Sequence, residues 1–331
     1  MNLEALAKPA ASSLSGRLFL VSTLPTTAAT VFLLTLLWAG APGPVRWRRA
    51  WQTAAQLQTG EALLLLLAVS LIAVVTMPLQ LPLIRLLEGY WPSRLEWLST
   101  RCRAWQTKRR GPTDVLIDPE RTSPADIQRI GQHGEWQRTR FPLEDHLVRP
   151  TGLGNVLTAA EARAGRSYGL DAVVVWPRLE PLLGERVRAA VADRRTTMDA
   201  AARLSVTAAV CVPPAIWLLW HSGWWLLLAP LLAAVAWLGY VATVHAAIAY
   251  GECVTAAFDL HRFELHSALH LPLPADPAEE LATNAAISLL WRQGVPLDRA
   301  LRYQHQGGQP ATQSSQSETE EETESETGEE N

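Results

Sequence analysis

Three histidines, His261, His266 and His270, fall close together near Glu252, Asp259 and Glu264. Imidazoles and carboxylates are the side chains that ligate transition metals and move protons near neutral pH. On a continuous helix His266 and His270, four residues apart, share one face at a spacing suited to a metal ion. A zincin pattern H-E-x-x-H needs Glu where Ser267 stands, so metalloprotease chemistry is not supported. His261 lies five residues before His266 and points elsewhere. An exposed, partly solvated helix face is the simpler account. No catalytic residue, cofactor or metal site is assigned, and His266 and His270 stand as the candidate ligands.

Other chemistry-bearing patterns are thinner. Gly152-Leu153-Gly154-Asn155 suggests an anion at a helix N-terminus, but it lacks the Lys-Ser/Thr pair of a P-loop and the third glycine of a dinucleotide fingerprint. Close backbone packing accounts for the same glycines. No G-x-S-x-G elbow is present. Cys102, Cys211 and Cys253 are widely spaced and imply neither a disulfide framework nor a metal site. Without the acidic tail from Ala311 onward, 29 basic groups face 24 acidic ones, a net charge of about +5. Nearly all the basic groups are arginines, with no basic stripe interleaved with aromatics, so no nucleic-acid partner is expected.

These groups are positioned by elements that read as membrane-spanning. A spanning helix needs roughly 20 mostly apolar residues, because the hydrocarbon core is about 30 Å thick. Four segments reach that length: Leu18 to Gly40, Ala62 to Ile84, Ala200 to Trp220 and Trp224 to Thr243. No Asp, Glu or Lys interrupts them, and Arg203 sits in the first turn of the third, where it can snorkel. A signal peptide ending near Ala39-Gly40-Ala41 is the alternative for the first, but its apolar stretch is too long. The expected fold is mainly α, an integral membrane protein with four transmembrane helices in two hairpins, long cytoplasmic helical extensions and a small central cytoplasmic region.

Arginines and Lys108 crowd both flanks of the central region, from Arg85 to Arg110 and from Arg186 to Arg195. The turn His221-Ser222-Gly223 carries none. By the positive-inside rule both termini and residues 85–199 face the cytoplasm, with the chain in the inner (plasma) membrane. Arg46, Arg48 and Arg49 oppose this but are outnumbered. Trp38, Trp47 and Trp51 at the first connection match Trp217, Trp220, Trp224 and Trp225 at the second. Tryptophan favours the headgroup level, so both turns belong at one interface.

The expected divisions are an N-terminal cytoplasmic segment (1–17), a first hairpin (18–84), a cytoplasmic helical region (85–199), a second hairpin (200–243), C-terminal cytoplasmic helices (244–308) and a disordered acidic tail (309–331). The second span is expected to stay helical through Trp91 and Trp97 to Gly111-Pro112, with kinks at Pro78 and Pro82. Val115-Leu116-Ile117 reads as a short strand. Ser123-Pro124 caps a helix to about Arg140, and Thr151 opens another. Asp171 to Trp176 is either strand or buried helix. A long amphipathic helix runs from Leu179 into the third span, the fourth continues to Leu269, and a short helix covers Pro277 to Gln293.

Leu83-Ile84-Arg85-Leu86-Leu87-Glu88-Gly89-Tyr90-Trp91, the run from Arg149 to Leu183 and that from Tyr250 to Pro274 resemble uncharacterised multi-pass membrane proteins of Streptomyces-like actinobacteria. The resemblance implies no activity or cofactor. The hairpin layout is similar to bestrophin-type channels in architecture alone. The spans carry no ionisable residue at mid-depth, which weakens proton-coupled transport. The leading expectation is a membrane scaffold or regulatory protein that binds a cytoplasmic protein partner. An oligomeric channel or transport subunit, hence a homo-oligomer, is the alternative, with Ser22, Thr23, Thr26, Thr27 and Thr30 as a polar face in the first span. A membrane enzyme using the histidines is a third.

Overall fold

A computed structural model of the protein describes residues 23–112, 123–297 and 303–304. Among these residues the secondary structure is helical, without a strand. The apolar helix α1 covers Thr23–Trp38; the first residues of its expected span, 18–22, lie outside the described residues, as do Val115-Leu116-Ile117 and the acidic tail. There follow α2 (Trp47–Gln56), α3 (Thr59–Leu87), α4 (Glu96–Arg110), α5 (Pro124–Arg140), α6 (Gly152–Arg163), α7 (Ala172–Leu179), α8 (Glu185–Leu219), α9 (Leu228–Ala268) and α10 (Pro277–Gln293). Three helices are long and apolar enough to cross a membrane: α3, α8, and α9 with the turn Gly223–Leu227 that precedes it.

The chain divides into two compact units. The first comprises the described residues up to Ala164 together with Gly184–Ala256, and the second comprises Gly165–Leu183 with the described residues from Ala257 onward. Residues 165–183, which the sequence groups with the central region, therefore belong with the C-terminal helices.

In the first unit both connections meet, as the tryptophans suggest. Leu36 and Ala41 form a buried cluster with Leu218 and Leu219. Trp47 stands edge-on to Trp225 at 5.0 Å, and the Ser222 hydroxyl donates to the Gly43 carbonyl at 3.1 Å. In α1 the Thr30 hydroxyl donates to the Thr26 carbonyl and that of Thr35 to Val31. Those hydroxyls are satisfied within their own helix, which suits helix packing better than a pore lining. Helices α8 and α9 approach closely at small residues: a Cβ on Gly239 would stand 3.0 Å from the Ser205 nitrogen. The Ser205 hydroxyl donates to the Ala236 carbonyl at 2.8 Å, an interhelical bond of the kind that holds helices where lipid supplies no hydrophobic drive.

The expected continuous helix from the second span to Gly111 is interrupted. Helix α3 runs through Pro78 and Pro82 but stops at Leu87, because Gly89 takes φ +89° and Pro92 lacks the donor to continue. A single 3-10 turn, Ser93–Leu95, then opens α4. Helix α8 likewise starts at Glu185, later than Leu179, after a 3-10 turn at Glu180–Leu182. The ambiguous stretch from Asp171 is helical: the Asp171 side chain accepts from the Val173 amide at 3.1 Å and caps α7. Helix α5 starts at its Ser123-Pro124 cap and ends at Arg140 as expected, and α10 covers the expected Pro277–Gln293, with the Asp276 side chain as its cap.

Candidate functional site

In the first unit, α4 is one of the most basic helices, with Lys108, Arg109 and Arg110 in its last turn. These charges suit a helix C-terminus, where carbonyls are unpaired. Arg110 is buried, donates to the carbonyls of Pro142 and Leu143, and pairs with Asp145. The Gln137 amide in α5 donates to the Arg110 carbonyl at 2.6 Å, tying α5 to the end of α4. Arg110 is thereby neutralised and used as a strut.

Arg109 and Arg140 are different. Neither has a carboxylate partner among the described residues, and each lies on a tryptophan instead, Arg109 over Trp105 at 5.5 Å and Arg140 over Trp136 at 5.9 Å. Burial, and then the charge of Arg109, lower the proton affinity of the Arg140 guanidinium. Both side chains line a crevice of about 350 Å³ that Gln106 also lines. Gln106 is only 4% exposed, and its side-chain oxygen has no hydrogen-bond partner. The opposite wall, from α9, is mainly apolar, with Trp237, Val241 and Val244. Tyr240 completes it, and its hydroxyl accepts from the Leu153 amide at 3.2 Å. Among the described residues these two guanidiniums, each beside an aromatic ring, have no carboxylate partner, an arrangement able to donate to an anion.

The second unit holds a buried polar network. One stripe of α10, Glu280, Asn284, Ser288 and Arg292, recurs every four residues and so lies along a single face. Glu280 accepts from Arg262 at 2.7 Å. Asn284 accepts from the His266 Nε2 at 2.7 Å and donates to the Tyr168 carbonyl at 2.8 Å. The Asp171 amide donates to Ser288 at 3.1 Å, and Arg292 pairs with the Asp171 carboxylate. Arg262 also lies over the Tyr168 ring at 4.2 Å. Burial and the neighbouring Asp259 push the Tyr168 phenol up from its ordinary value.

The histidines singled out by spacing are separated by this fold. His266 is fully buried against Asn284, not solvated. Asn284 places the ring proton on Nε2, and Nδ1 has no hydrogen-bond partner. His270 does not share its helix face, because α9 ends at Ala268 and His270 adopts the left-handed conformation with φ 55°. The amides of His270 and Leu271 donate back to the carbonyls of Ser267 and His266, the pattern of a Schellman stop. His261 lies 3.2 Å from the Glu264 carboxylate. Among the described residues no three His, Cys, Asp or Glu side chains gather as a metal site. The Gly152–Gly154 stretch serves close packing: the Thr151 hydroxyl accepts from the Gly154 amide, and a Cβ on Gly154 would meet the Glu88 carbonyl oxygen at 2.1 Å. The residues the sequence did not single out, Arg109, Arg140 and Gln106 in one unit and Asn284 and Tyr168 in the other, come together from distant segments. The four-residue polar stripe of α10 is the one signal that marks part of them.

Glu88, just past α3, carries a carboxyl held above the usual range, chiefly by burial and then by the charge of Asp199, against Arg85 and Arg195. Asp199 is raised as well, by burial. A raised folded-state pKa means that the folded protein binds the extra proton. The associated stability is complete below the ordinary carboxylate pKa and is lost as pH rises through the raised value. Glu88→Gln should therefore raise the Tm at about pH 7 by about 2 °C and give no gain at about pH 4. Thermal scans of both proteins across that range measure it; a difference that does not grow with pH contradicts the assignment.

No family model matches this chain, and no curated protein or solved structure matches it.

Proposed function

We propose that the protein is a four-span protein of the bacterial plasma membrane that acts as a scaffold or regulator, engaging a partner protein through cytoplasmic helices. The three helices of membrane-spanning length support the membrane location. Helix α1, seated against the C-terminal end of α8, supports a fourth span. The basic flanks at 85–110 and 186–195 favour placing that side in the cytoplasm.

The observation that carries the partner reading is the surface of the second unit. His266, Glu280, Asn284 and Ser288 are buried in the α10 network, while Val173, Leu260, Leu273 and Leu281 are each more than half exposed. Large apolar groups exposed on the surface of a unit favour a protein contact. The test is affinity purification of the full chain from its native membranes beside a Leu260→Glu, Leu273→Glu variant. A stoichiometric partner retained by the parent and lost by the variant, at unchanged Tm, supports the reading. A partner-free homo-oligomer that conducts ions in liposomes overturns it. That outcome would favour the channel alternative, for which α3 speaks, since Leu63, Leu64, Leu66, Leu67 and Leu71 are exposed around much of its circumference.

A further inference from the structure

The crevice between α4, α5, α6 and α9 has one wall of cations and one that is mainly apolar, to which Tyr240 and His245 add polar atoms. Its cationic wall carries Arg109 and Arg140, which repel each other and have no carboxylate to neutralise them among the described residues. Each guanidinium lies within cation–π range of an indole, at 5.5 and 5.9 Å from the ring centroid, a contact that leaves its N–H groups to donate elsewhere. Gln106 adds a buried acceptor that lacks a donor. The facing residues, Trp237, Val241 and Val244, belong to a helix long and apolar enough to cross a membrane. Trp237 is 64% exposed, so the apolar wall runs out onto the helix surface and is not closed off.

A soluble anion would meet the cations and the polar atoms of Tyr240 and His245 but gain nothing from Trp237, Val241 and Val244. An anion attached to acyl chains satisfies both. A volume of about 350 Å³ suits a headgroup, with the chains left outside along α9. We propose that this crevice binds the headgroup of an anionic glycerophospholipid, its phosphate held between Arg109 and Arg140 and a headgroup hydroxyl donating to the side-chain oxygen of Gln106, which turns out of its enclosed position to meet it. A phosphate oxygen pair accepts from guanidinium forks in the bidentate manner that a lone ammonium cannot reproduce. The hydroxyl selects phosphatidylglycerol over doubly ionised phosphatidic acid, which has neither a headgroup alcohol nor a P–OH to offer. This inference does not rest on the partner reading.

The test uses the full chain in detergent, titrated with short-chain phosphatidylglycerol, phosphatidylcholine and phosphatidic acid, and read by native mass spectrometry. The parent should retain one phosphatidylglycerol per chain and no phosphatidylcholine. Arg109→Gln with Arg140→Gln should weaken phosphatidylglycerol binding at least about tenfold, and the double Lys variant should recover only part of it. Gln106→Leu should abolish the preference for phosphatidylglycerol over phosphatidic acid while keeping phosphate-dependent binding, which distinguishes a lost contact from a lost fold. Arg101→Gln with Arg138→Gln removes the same charge from exposed positions on α4 and α5 and should leave binding unchanged. Equal loss in that control would reduce the effect to general surface charge and overturn the proposal. Displacement of phosphatidylglycerol by millimolar inorganic phosphate would assign the crevice to a soluble anion and overturn it equally.

Discussion

Replacing Gly154 with alanine should cost the first unit at least about 3 kcal/mol, read as a Tm fall of about 10 °C in detergent. The added Cβ would stand 2.1 Å from the Glu88 carbonyl oxygen and 2.9 Å from its carbonyl carbon. Both are backbone atoms at the end of α3, so no rotamer change relieves the overlap. Helix α6 must retreat as a body, and with it Leu153 and Val156 leave their contact with Val244 and Ala247. Lost packing adds to the overlap, because a core that does not close behind a displaced helix forfeits its dispersion contacts. Gly131 and Gly134 in α5 provide the matched comparison, since a Cβ at either meets nothing within 4 Å. Alanine there should stabilise by about 0.5–1 kcal/mol through helix propensity alone. The opposite signs are the expected result; a Gly154→Ala protein that melts with the parent refutes the close approach of α6 to Glu88.

Asn284→Leu should loosen the second unit by about 3 kcal/mol. The change keeps the branching of the side chain but strands two groups, the buried Nε2 proton of His266 and the partly buried Tyr168 carbonyl. Each buried group left without its partner costs about 1–3 kcal/mol, more than the net value of the bond it made. Adding His266→Leu removes one stranded group and should return part of the loss, so the double variant is more stable than the sum of the singles predicts. Because the chain has two units, a single melting curve mixes them. Hydrogen exchange separates them: amides of α10 should lose protection while those of α8 in the first unit keep theirs. Unchanged α10 protection in Asn284→Leu would show that the network does not hold the unit together.

How far these sites could be read in advance follows from the range of the interactions that build them. Ser123-Pro124 announced the start of α5 because a cap is a contact between residues two or three apart. The interruption after α3 was also local, written in Gly89 and Pro92, but the apolar and aromatic run Leu86 to Trp91 favoured a continuous helix. The histidine spacing misled for a related reason. A four-residue interval places two side chains on one face only while the helix lasts, and α9 stops between His266 and His270. His266 looked like a solvated group because what buries it, Asn284, lies 18 residues further along, beyond a turn.

The sequence by itself determined that Ala62 to Ile84, Ala200 to Trp220 and Trp224 to Thr243 lie in helices apolar enough to cross a membrane, and where α5, α6 and α10 begin. Transfer from water to hydrocarbon is close to a sum over residues, and capping is settled within a turn. Tertiary structure alone decided that 165–183 joins the C-terminal helices, that Gly154 lies on the backbone of Glu88, and that Arg110 has a carboxylate partner while, among the described residues, Arg109 and Arg140 have none. Those outcomes depend on which distant backbone fills the space beside a given side chain, and a charge is paired or left waiting only when that neighbour is in place.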